Sequence, residues 1–215
     1  MHSKRHRWSP ASPSPVATRW VGLCLLVALS SHTQSAVAHT EKGVTGGLVS
    51  GLLHPVLGLD HLVAMVAVGL WGAQLGNPAI WVLPIAFPAV MACGALLGVA
   101  GVPLPGVEVA IAGSALLLGS MVALSVRPKL WVAAVLVASF GIFHGHAHGA
   151  ELPQSSNALA FGVGFVLSTG LLHLCGILLG TTIRFPLGER LVRVCGALVA
   201  GVGAVFLASS LGVVS

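Results

Sequence analysis

Residues 44–75 read VTGGLVSGLLHPVLGLDHLVAMVAVGLWGAQL. The stretch is almost wholly apolar, yet it holds His54, Asp60 and His61. Ionisable groups in an apolar span are costly and commonly mark an ion path or a proton relay. The stretch is also too long for one straight crossing of a bilayer core of about 30 Å. Proline disfavours helix at the residue before it. A short outer helix, a break at His54-Pro55 and a second, descending helix are therefore expected.

The rest of the chain supports a membrane reading. Of its 215 residues 56% are hydrophobic and only 7% charged, with a mean hydropathy of +0.98. An ordinary soluble domain carries about 25% charged residues. Further apolar segments follow at 79–100, 107–125, 130–149, 157–180 and 189–212, separated by turn formers such as GNP (76–78) and GVPLPG (101–106). The fold class expected is an all-α integral membrane protein, a six-helix transmembrane bundle whose first helix is broken. Pro84 and Pro88 should kink the second span. The GxxxG pairs Gly47/Gly51, Gly94/Gly98 and Gly176/Gly180 read as helix packing. The formal charge of +5 is no sign of a nucleic-acid partner, because Lys4, Arg5, Arg7 and Arg19 all lie in the first 20 residues.

Residues 1–38 read as a cleavable signal peptide. A basic start is followed by the short apolar WVGLCLLVAL (20–29) and then by AVA at 36–38, a small-residue cleavage pattern. The alternative is an uncleaved anchor. Cleavage after Ala38 makes His39 the new N-terminus and leaves 39–215 as the transmembrane domain. With that terminus outside, Arg127, Lys129, Arg184, Arg190 and Arg193 fall in cytoplasmic loops, as the positive-inside bias requires, and the C-terminus returns outside. Cys93, Cys175 and Cys195 have no CxxC spacing and read as packing residues.

The ionisable residues gather toward one side of that topology. FHGHAHGAE (143–151) ends the fourth span. At about 100° per residue, His144 and His148 share a helix face, Glu151 lies one turn beyond, and His146 points nearly opposite. His54, Asp60, His61, Glu108 and His39 are placed at a similar depth, whereas His173 lies deeper in the fifth span. Imidazole and carboxylate ligands suit first-row divalent cations. Metal binding is the favoured chemistry, with transfer of protons or another polar species left open.

At these residues the chain resembles the HupE/UreJ membrane proteins. HPVLGLDH matches the H-x5-DH signature of the family's first mature span, and FHGHAHGAE matches its FHG-x-AH-G-x-E signature in the fourth. The likeness extends over essentially the whole mature chain. It implies a secondary carrier of Ni²⁺, in some members of Co²⁺, in a bacterial inner membrane, linked to the maturation proteins of hydrogenase or urease. It assigns function to His54, Asp60, His61, His144, His148 and Glu151, with His146 at the variable position. Glu108 and His173 join the candidate metal-ligating set on physical grounds, and His39 as an outer capture group. No permanent cofactor is expected; the metal is cargo and the lipid bilayer the main partner. No GxxxxGK[ST] loop is present, so the chain has no visible ATP motor. The alternatives are a membrane metalloenzyme, against which stands the lack of HExxH, and a non-transporting metal chaperone or sensor, against which stands the lack of a soluble domain.

Overall fold

Ten of the eleven residues from Ala64 to Gln74 are buried. A helix apolar all round belongs at the centre of its bundle, and the computed structural model places this one there. The structure describes residues 43–152 and 157–214. The expected signal peptide, its cleavage after Ala38 and His39 lie outside the described residues.

Every regular element described is helical. Helix α1 spans Val44–Leu57, α2 Leu59–Leu75, α3 Ala79–Val99, α4 Val107–Ala123, α5 Leu130–Ala150, α6 Ala158–Gly180 and α7 Pro186–Ser210, with a 3-10 turn over Thr181–Arg184 before α7. Helix α2 packs against α1, α3, α4, α6 and α7. Around it α3 pairs with α5, α4 with α7, and α1 with α6. Asn157 caps α6 by accepting a hydrogen bond from the Ala160 N–H at 2.9 Å. Pro186 opens α7, where its missing N–H costs nothing.

By length and composition α3, α5, α6 with its 3-10 extension, and α7 can each cross a membrane. Helices α1 and α2 qualify together as one broken span, and α4 is a shorter apolar helix of 17 residues. Large apolar side chains such as Trp81, Ile85, Leu96, Leu171 and Leu178 face outward, as a multi-pass membrane protein requires. Arg193 donates to the Ala123 carbonyl at 2.9 Å. This puts the start of α7 beside the end of α4, at the same end as Arg127 and Lys129.

The break in the first span is not at His54-Pro55. Helix α1 runs through Pro55 to Leu57, and the chain turns by 80° at Gly58. A proline's effect on its predecessor is a preference, and here His54 stays helical, wedged among the rings of His148, Phe161 and Phe165. Gly58 is extended, and a Cβ there would sit 3.3 Å from both Asp60 Oδ1 and His61 Nδ1. The absence of a side chain at 58 makes room for the pair that follows. Helix α3 continues through Pro84 and Pro88.

All three GxxxG pairs lie on helix seams. Gly47 and Gly51 meet α6, Gly176 meets α2, and Gly94 and Gly98 meet α5. On the α5 side of that last seam stand Gly145 and Gly149, where a Cβ would run into the backbone carbonyls of Met91 and Ala95. The residues before them, His144 and His148, are turned by about 100° toward α2 and α1.

Candidate metal centre

Five side chains from three helices converge. The last two turns of α5 supply His144 and His148, and Glu151 follows at its C-cap. The last turn of α1 supplies His54 and the first turn of α2 supplies His61. Ring centroids are 4.8 Å apart for His54–His148, 4.4 Å for His61–His148 and 4.8 Å for His61–His144. The two sequence motifs therefore meet, and the 80° turn at Gly58 lets His54 and His61 reach the same partner.

Two sets of potential ligands result. His61, His144 and His148 form one, and His54, His148 and Glu151 the other; within each, one ligand atom per residue lies within 4.8 Å of the others. His148 belongs to both. Burial increases along the series. The side chains of Glu151 and His54 are 59% and 33% exposed, that of His61 13%, and His148 and His144 only 4% and 0%. His54 Nε2 lies 3.6 Å from Glu151 Oε2, and this imidazole holds the Glu151 carboxyl below the usual range.

Neighbouring groups fix which ring nitrogen is available. Asp60 Oδ1 stands 2.9 Å from His61 Nδ1 and also accepts from the His61 backbone N–H. An ionised carboxylate only accepts, so Nδ1–H donates and Nε2 carries the lone pair. Ser114 Oγ donates to the Ile111 carbonyl at 2.6 Å and stands 2.9 Å from His144 Nε2. Its one proton is used, so His144 Nε2–H donates and Nδ1 is left with the lone pair. Those two nitrogens, and both of His148, are buried without a hydrogen-bond partner among the described residues. Metal-binding histidines typically have the other ring nitrogen held in this way. Buried unpartnered nitrogens are otherwise expensive.

The remaining expected residues fall outside the two sets. Glu108 is exposed in the first turn of α4. His146 donates from Nε2 to the Val102 carbonyl at 2.7 Å, tying α5 to the α3–α4 loop. His173 is 1% exposed on α6 and joins neither set. Asp60 orients His61, with Oδ1 engaged on it. Cys93 and Cys175 are exposed, Cys195 is half-buried, and none enters either set. Sequence reasoning missed Ser114 and the aromatic wall. Phe165 packs at 4.2 Å on His148, Phe161 at 5.6 Å on His54, and Phe87 at 5.3 Å on His144. Serine and phenylalanine are ordinary in apolar helices and gave no signal.

An all-imidazole set beside a mixed imidazole–carboxylate set suits a borderline divalent cation. The family described as HupE / UreJ protein matches residues 26–206. The protein named Protein HupE from Rhizobium leguminosarum bv. viciae is 44% identical over 180 residues, covering 83% of this chain and 94% of the relative. No solved structure matches the chain significantly. The chain belongs to the HupE/UreJ family.

Proposed function

We propose that this protein is a secondary carrier that brings Ni²⁺, and with lower preference Co²⁺, into the cytoplasm for hydrogenase or urease maturation. The observation that carries this reading is the graded series Glu151, His54, His61, His148, His144, in which exposure falls while neighbouring ligands remain close. A hydrated cation captured at Glu151 and His54 exchanges water for imidazole and passes through the shared His148 to the buried set. A carrier must bind well enough to select and weakly enough to release. Sharing one histidine between two sets supplies that exchange, and the absence of thiolates keeps it labile.

In this reading the chain crosses the inner membrane six times after loss of residues 1–38, with α1 and α2 as one broken span and α4 as a short one. His39 and Glu108 then lie on the outer side with the capture set, and the basic residues lie on the cytoplasmic side. Helix α5 supports the polarity: Lys129 precedes it and His148 lies in its last turn, so its 21 residues separate the two by about 30 Å. The inside-negative potential pulls a divalent cation inward at about 2.3 kcal/mol per charge per 100 mV. No resident cofactor is needed, since the metal is the substrate.

The test is uptake of radioactive nickel by liposomes containing the purified protein, with cobalt, zinc and copper as competitors. Saturable uptake that cobalt inhibits supports the carrier. Nickel binding without movement would contradict it.

A further inference from the structure

Helix α6 carries a ridge at four-residue spacing: Phe161, Phe165, Thr169 and His173, exposed by 4%, 5%, 0% and 1%. Each member lies about 6 Å further along the helix than the last. The first two rest on His54 and His148. The next two present buried polar atoms, Thr169 Oγ1 and His173 Nε2, with no hydrogen-bond partner among the described residues. Buried polar atoms are nearly always partnered, so each such exception needs a reason.

The other nitrogen of His173 is held. Its Nδ1 lies 3.2 Å from the carbonyl oxygen of Pro84. Pro88 has no N–H, so the helical bond that would end on that carbonyl, four residues earlier, is missing. His173 Nδ1–H donates to the carbonyl that Pro88 leaves free, and the neutral ring keeps its lone pair on Nε2. This is the same device that orients His61 and His144. The Phe87 ring touches both His144 and His173, at 5.3 and 5.5 Å between centroids. The Phe87 ring thus joins His173 to His144 of the buried set.

We propose that Thr169 and His173 form an inner station for the divalent cation, reached after the His61–His144–His148 set. His173 Nε2 is the nitrogen donor, Thr169 Oγ1 the oxygen donor, and water completes the shell. This assignment rests on the transport reading above. One imidazole and one hydroxyl hold a cation more weakly than three imidazoles, which favours onward release.

The experiment pairs two readouts on the full-length protein: equilibrium nickel binding in detergent and nickel flux in liposomes. His173→Ala is expected to lower flux at least about tenfold and Thr169→Val about threefold, with the tightest nickel Kd kept within about twofold of wild type. His173→Asn places its amide N–H where Nδ1–H stands and can still donate to the Pro84 carbonyl, but it offers no donor at the Nε2 position; its flux is expected to stay as low as that of His173→Ala. Wild-type flux in His173→Asn would overturn the inner station, because it would make His173 only a tie between helices. Equal losses of binding and flux in His173→Asn and Thr169→Val would overturn it too, by showing damage to the outer sets. If His173→Ala does not fold, those two variants decide. No flux in the wild type overturns the carrier reading itself, and this station with it; flux in wild type and in every variant overturns the station alone.

Discussion

The His54–His148–Glu151 set and the His61–His144–His148 set share one ligand and differ in their surroundings. The outer set has a carboxylate, and two of its three side chains are more than 30% exposed. The inner set is all imidazole, and His61 and His144 are oriented by Asp60 and Ser114. Exposure and charge suit capture of a hydrated ion; burial and fixed nitrogens suit selection among ions already partly stripped of water. The difference teaches that the two motifs are not two sites in series. FHGHAHGAE supplies ligands to both sets, and HPVLGLDH supplies one histidine to each, on either side of Gly58.

That comparison can be broken most forcefully at the inner set. His144→Ala or His61→Ala is expected to reduce nickel uptake at least about a hundredfold, with the amount of protein in the membrane unchanged on an immunoblot. Next comes the support of His61. Asp60→Asn weakens the hold on Nδ1 and is expected to lower nickel affinity by about 10- to 100-fold in equilibrium binding. At the outer set, Glu151→Gln is expected to slow uptake about tenfold at limiting nickel and less at saturating nickel, since it removes charge from capture and leaves the inner nitrogens in place. An equal effect at both concentrations would remove the division between capture and selection. His146→Ala should change uptake by less than about twofold. Loss of the bond to Val102 should lower stability by about 1 kcal/mol in thermal unfolding.

Much of this is legible in the amino-acid sequence itself. The four-residue spacing of His144 and His148 puts them on one face, and His146 is turned away as that spacing requires. The pairing of a histidine with a carboxylate in each motif marked the residues that converge. The place of the break is not legible there, because proline carries a known local preference while the need for empty space at Gly58 arises only once Asp60 and His61 are packed beside it. Ser114 and Phe165 were invisible for a related reason. Their roles come from tertiary neighbours, the Ser114 proton being committed to Ile111 and the Phe165 ring lying on His148. The glycine pairs carried packing information, but their partners in α5 and α6 could not be named from spacing alone.

The central claim is that HPVLGLDH and FHGHAHGAE build one site. Equilibrium nickel binding to the purified wild-type protein, His61→Ala and His144→Ala tests it most directly. One site predicts that either substitution, from either motif, removes the same high-affinity step. Two variants that each keep a wild-type affinity at reduced stoichiometry would show two independent sites and contradict the claim.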